Sequence, residues 1–196
     1  MKEFEDYKSY RWFYTSSGKL VIGGKSAAQN DILLNKLISL KEKHIIMHTS
    51  SPGSPFAVIL SDAKRVARKD LEECAIFTAC FGKTWKSGKK NAIVDIFSSN
   101  QLHKNKGMSE GTWAVNGPIE KISVELSLVL TLQESVLRAV PGSSAKKKDI
   151  LLRIMPGKSK KEEIITKLAV ELDNKFSQSD ILTALPAGGI SISKIK

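Results

Sequence analysis

Gly23-Gly24-Lys25-Ser26 and Gly157-Lys158-Ser159 both end like a nucleotide-binding loop. In such a loop, backbone amides wrap phosphates and a lysine reaches toward them. The wrap needs a glycine five positions before the Gly-Lys-Ser, and those positions hold Lys19 and Leu152. Neither run therefore supports nucleoside triphosphate hydrolysis. A helix that begins after Gly23-Gly24 still offers unpaired amides and a positive dipole end, so one phosphate with Lys25 beside it is one reading. A tight turn capped by Ser26 is the other.

His44 and His48 are spaced to share one face of a strand, close enough to meet one zinc ion, but no Cys lies near them in sequence, Glu42 is the single nearby acid and His103 is remote. No metal or other cofactor is expected. Cys74 and Cys80 fall six residues apart in an apolar helical stretch, which favours two core thiols over a disulfide or a metal site. A nucleophile elbow of the Gly-x-Ser-x-Gly type is absent, and no catalytic residue is assigned.

The remaining chemistry is that of polyanion binding. Lys83, Lys86, Lys89, Lys90, Lys104 and Lys106 stand against a single acid, Asp95, between residues 83 and 106, with Trp85 and His103 interleaved. Clustered around loops, these lysines are expected to contact phosphates. On Arg11-Trp-Phe-Tyr14, Arg11 and Phe13 share one strand face and Trp12 and Tyr14 the other. One aromatic face is expected in the core; the other could stack a base where exposed, with burial the first reading for Trp12 and exposure left open for Arg11.

These groups need a frame. Tyr10–Thr15 and Leu20–Gly24 read as strands joined by Ser16-Ser17-Gly18, and Ser26–Leu40 as a helix with Ile32, Leu33, Leu37 and Leu40 at helical spacing. Ile45–Thr49 and Phe56–Ser61 are strands around Pro52-Gly53-Ser54-Pro55. Lys64–Phe81 reads as a helix ending at Gly82, with Asp70, Glu72 and Glu73 facing solvent. Strands are expected at Ala92–Phe97 and Thr112–Asn116, then Ile122–Leu132, Ser135–Val140 and Ile150–Met155. A Lys- and Glu-rich helix to about Phe176, a short helix and a last strand after Gly189 complete the chain. The fold class is α/β, an α+β mixed sheet with packed helices. The expected division lies near Pro118, giving a domain at 1–118 and a small α/β module of unassigned function at 119–196.

The chain has 196 residues and a formal net charge of +11. Such a surplus draws polyanions and speeds their encounter. No apolar run approaches the roughly eighteen residues that span a bilayer, and Met1–Tyr10 is too polar for a signal peptide, so a cytoplasmic protein is expected.

Tyr10-Arg-Trp-Phe-Tyr-Thr-Ser-Ser-Gly-Lys-Leu-Val-Ile-Gly-Gly-Lys-Ser-Ala-Ala-Gln-Asn-Asp-Ile-Leu33 resembles the opening of the NFACT-R domain, found in the NFACT proteins of ribosome-associated quality control. His48-Thr49, Pro52-Gly53-Ser54, Val58-Ile59, Val94-Asp95, Lys104 and Lys106-Gly107-Met108 resemble later elements of that family, and together they cover about residues 4–118. The chain departs from the pattern at Pro55, where many members carry a histidine, and at His44, where an acid is common. The resemblance implies a stand-alone NFACT-R protein that binds RNA, without the parts of longer relatives that recruit transfer RNA for tailing.

Combined, these readings predict docking on transfer RNA or ribosomal RNA, with the large ribosomal subunit as a partner. The six lysines would contact phosphates while Arg11, Lys25, Asn30 and His48 shape the site. Two alternatives remain open: an RNA-modification enzyme or its subunit with His48 as acid or base, and a basic adaptor for DNA or an acidic protein.

Overall fold

A computed structural model of the chain describes residues 4–40, 42–159 and 161–193; the ends of the terminal segments read above lie outside them. Among the described residues, twelve strands and five α-helices alternate with short 3-10 turns. A six-stranded sheet has the order β1-β2-β4-β3-β5-β8, made by β1 (Arg11–Tyr14), β2 (Leu20–Gly23), β3 (Ile45–Thr49), β4 (Ala57–Ile59), β5 (Asn91–Ser98) and β8 (Glu120–Glu125). A second sheet has the order β10-β9-β11-β12, from β9 (Leu128–Gln133), β10 (Val136–Val140), β11 (Leu152–Ser159) and β12 (Ile190–Ser193). Two short strands, β6 (Leu102–His103) and β7 (Ala114–Val115), pair alone. All these pairings are antiparallel.

In the first sheet β2 and β4 are buried on both faces, which explains why they lack polar alternation. Trp12, Ile22, Ile46 and Val58 point into one core with Leu33, Leu34 and Leu37 of α1 (Ala27–Ile38). Phe13, Val21, Met47 and Ile59 point into the other, against Cys74, Phe77 and Cys80 of α2 (Arg68–Cys80). Both aromatic faces of β1 are therefore core, Trp12 included, and neither is left to stack a base. Both cysteines are free and buried among these residues, and burial raises both thiol pKa values, Cys74 to about 12.

Two sequence expectations are corrected. Ile32 is 61% exposed because α1 turns Asn30, Leu33, Leu34 and Leu37 inward instead. Asp70 and Glu73, expected in solvent with Glu72, are fully buried. Their carboxylates face the β1–β2 turn: Asp70 accepts from Thr15 Oγ1 at 2.7 Å and pairs with Lys19 at 2.9 Å, and Glu73 accepts from the Ser16 amide at 2.8 Å. Helical periodicity cannot reveal a turn that supplies donors from fifty residues away.

The expected division at Pro118 falls between β7 and β8, and β8 pairs with β5 over Asn91–Ile96. One apolar cluster continues from α2 and β5 through Leu126 into β9, β10 and β11, where α4 (Lys161–Glu171) and α5 (Gln178–Ala184) also pack. None of the described helices is long and apolar enough to cross a membrane.

Candidate nucleic-acid interface

The start of β1 and the ends of β2 and β3 meet at one end of the first sheet. An open cleft of about 710 Å³ lies there, and Arg11, Lys25, Asn30, His48 and Lys83 all line it. The structure thus brings these five residues together from four segments of the chain. Gly23 and Gly24 turn β2 into α1, whose N-cap Ser26 accepts from the Gln29 amide at 3.2 Å. The first turn is thereby capped from within, and Lys25 is left exposed on the rim. A Cβ on Gly24 would land on Asn30 Oδ1. Asn30 is buried and accepts from the Phe56 amide at 3.4 Å, so it braces the wall more than it offers a free amide.

Arg11 donates from Nη1 to the Gly24 carbonyl at 2.8 Å and lies 5.5 Å from the Phe81 ring centroid. Burial lowers its pKa, and it has no ion-pair partner among the described residues. The Pro52–Pro55 loop forms the facing wall. Ser54 Oγ accepts from the Thr49 amide at 2.9 Å, the Gly53 carbonyl accepts from the Lys83 amide at 2.8 Å, and the Lys83 stem packs where Gly53 lacks a side chain. Gly53 has φ +110°, a left-handed conformation that glycine alone adopts without strain.

His48 stacks on Phe56 with centroids 4.5 Å apart, and its Nδ1 donates to the Thr49 carbonyl at 2.7 Å. That bond fixes the proton on Nδ1 and leaves Nε2 as an acceptor. Burial lowers the His48 pKa despite Thr49 and Asp95, so the ring stays neutral. Asp95 stands opposite His48 in the β3–β5 register, but it accepts from Ser50 Oγ and pairs with Lys121. His48 and Asp95 thus share no hydrogen bond of the kind by which a carboxylate orients an imidazole. The cleft brings three cations (Arg11, Lys25 and Lys83), an imidazole acceptor and aromatic rings into one concave surface.

The remaining lysines divide. Lys86, Lys89 and Lys90 are exposed at and beyond the end of α3 (Lys83–Lys86), and Lys89 lines a smaller groove that shares Thr49 and Ser50 with the cleft. Lys106 is exposed on the loop across the cleft. Lys104 instead pairs with Asp31, which also accepts from Trp113 Nε1 at 2.7 Å; this ties the loop to α1. Trp85, read as interleaved with the lysines, is a fully buried core residue. His44 is buried away from the cleft, and no group of three or more His, Cys, Asp or Glu among the described residues could hold a metal ion. Sequence reasoning missed Phe56, Phe81 and Trp113 as lining residues, because each looks like ordinary core in its own segment.

The chain is 28% identical over 204 aligned positions to the archaeal Rqc2 homolog aRqcH of Methanocaldococcus jannaschii; the match covers 98% of this chain and 30% of that protein. It is 22% identical over 143 positions to the ribosome quality control complex subunit NEMF homolog of Drosophila melanogaster, covering 67% of this chain and 14% of that one. The chain therefore spans less than a third of either relative. The C-terminal part of the fibronectin/fibrinogen-binding protein from Streptococcus suis has a similar fold, with a TM-score of 0.50 and 22% identity over 60% of this chain and 44% of that one. The family described as the NFACT protein RNA binding domain matches residues 9–117, more than half of the chain, which therefore belongs to that family.

Proposed function

We propose that the cleft and its lysine rim form an RNA-docking surface that serves in ribosome-associated quality control. The ligand is transfer RNA or ribosomal RNA, and the partner is the large ribosomal subunit. The observation that carries this reading is the convergence of Arg11, Lys25, Asn30, His48 and Lys83 on one cleft, flanked by the exposed Lys86, Lys89, Lys90 and Lys106. The family's description as an RNA binding domain and the quality-control names of the relatives support it. Phosphate contacts would supply most of the affinity, while the His48 acceptor and the rings would read an unstacked base or a ribose hydroxyl.

The test is binding of the purified chain to total transfer RNA, duplex DNA and large ribosomal subunits across a salt titration. Transfer RNA or subunits should outcompete duplex DNA, and the logarithm of affinity should fall linearly with that of salt. Lys86→Ala, Lys89→Ala, Lys90→Ala and Lys106→Ala should each reduce the slope by roughly 0.7–0.9 where the lysine meets a phosphate. Lys104→Ala should instead lower stability through its lost pair with Asp31. Equal, weak binding to all three ligands would leave only a basic surface and overturn the reading.

A further inference from the structure

Arg138 comes from β10 in the second sheet, outside the family match, and is 5% exposed. Its Nε and Nη2 both donate to the Trp12 carbonyl, at 3.1 and 2.8 Å, and its guanidinium lies 4.7 Å from the Trp12 ring centroid. A buried cation is ordinarily matched by a carboxylate, because a carbonyl and a ring return only part of the lost hydration. Among the described residues no ion pair involves Arg138, Arg11 or Lys25.

These three cations sit close together along the chain's own geometry. Arg11 immediately precedes Trp12, whose carbonyl holds Arg138; Lys25 immediately follows Gly24, whose carbonyl holds Arg11. Burial lowers the pKa of all three, Arg138 to about 10, and the charges repel one another, Arg11 acting on Arg138 and both acting on Lys25. Arg138, at about 10, remains protonated at neutral pH. Packing and hydrogen bonds to neutral carbonyls hold this surplus of like charge together, and an anion at the Arg11–Lys25 corner would relieve it.

We propose that the Arg11–Lys25 corner of the cleft is a phosphate subsite, and that Arg138 of the second sheet is the buried charge that supports it from behind. Arg138 is not among the cleft-lining residues, so it acts as a positioning residue that adds potential without touching the ligand. Filling the subsite also removes the repulsion between β10 and β1, so phosphate binding tightens the joint between the two sheets. The inference rests on the RNA reading only for the source of the phosphate, a chain diester or a terminal monoester.

The test is thermal unfolding of the whole chain at fixed ionic strength with inorganic phosphate, a nucleoside 5′-monophosphate or a dinucleoside monophosphate, with chloride as control. Phosphate should raise the midpoint of the wild type where chloride does not. Arg138→Met keeps the packing on Trp12 and should bind phosphate about tenfold more weakly, the effect of removing one charge behind a shielded site. Arg138→Lys should recover part of the loss. Lys25→Gln, at an exposed position that cannot disturb the core, should weaken phosphate binding similarly, which keeps the test decisive if Arg138→Met does not fold. A dinucleotide response equal to that of the monophosphate identifies a chain phosphate; a response to monoesters alone identifies a terminal one. Phosphate binding by Arg138→Met and Lys25→Gln at the wild-type level overturns the inference. Transfer RNA binding by the wild type separates the two readings: no RNA binding with an intact phosphate response removes the RNA reading and leaves the subsite standing.

Discussion

Asp70 is a carboxylate without solvent and with four donors. Thr15 Oγ1, Ser17 Oγ, Lys19 Nζ and the Ala67 amide all meet it. Burial alone would raise its pKa, but the bonds from Ser17, Lys19, Thr15 and Ala67 overcome that and hold it at about 2. A depressed carboxylate pKa stabilises the fold above the unfolded value of about 3.9, and the contribution is lost as pH falls through about 2. Asp70→Asn should therefore cost about 3 kcal/mol at neutral pH, the scale for breaking a buried pair. It should also flatten the loss of stability between about pH 4 and pH 2, as read by denaturant melts at a series of pH values. The same residue marks a limit of sequence reading. Its helical position looks solvent-facing beside Glu72, and only the returning β1–β2 turn makes it core. Lys25 stood out in the strand-to-helix turn after Gly23-Gly24, and Arg11 and His48 as polar side chains on apolar strands that the family resemblance also marks, whereas Arg138 lies on an apolar strand outside that resemblance.

At the scale of elements, the β2–α1 turn sets the position of half the cleft wall. Gly24 is needed there for space: its missing Cβ is what lets Asn30 close against the turn and reach the Phe56 amide. Gly23 has only ordinary contacts with Pro55 and Phe56 at its own missing Cβ, the nearest at 3.4 Å. Gly24→Ala should thus cost about 1–3 kcal/mol through forced displacement of packed atoms, while Gly23→Ala should stay within about 0.5 kcal/mol. Paired thermal melts check the contrast, and equal costs would show that Asn30 is free to move. The elements themselves were legible: hairpin, Gly-Gly, capped helix, and strands around Pro52–Pro55 all stand where turn chemistry and periodicity placed them. What periodicity could not give was which helix face turns inward, since α1 buries Leu34 in place of Ile32 and both residues are apolar. Nor could it show that Ile122–Leu132 is two strands, because the break at Leu126-Ser127 separates two sheets without any Pro or Gly to announce it.

At the scale of the molecule, the free edge of β1 is closed by side chains of the second sheet. Gln133 accepts from the Tyr14 amide at 2.8 Å and donates to the Tyr14 carbonyl at 2.9 Å, so one amide group stands in for a neighbouring strand. Glu134, at φ +49°, accepts from the Tyr7 and Tyr14 hydroxyls and pairs with Lys8 at 3.0 Å. An unpaired strand edge invites wrong pairing, and this clamp blunts it. The clamp and the shared apolar cluster predict that the two sheets unfold together. Far-ultraviolet circular dichroism and tryptophan fluorescence should give one coincident transition. Gln133→Ala should leave two part-buried backbone groups of Tyr14 without partners and cost about 1–3 kcal/mol. Because the shared cluster stays intact in this variant, the loss should lower the midpoint while the two signals remain coincident. Two separated transitions in the wild type would show instead that the seam is a contact between independently stable units, and the coupling of phosphate binding to the second sheet would then have no mechanical route.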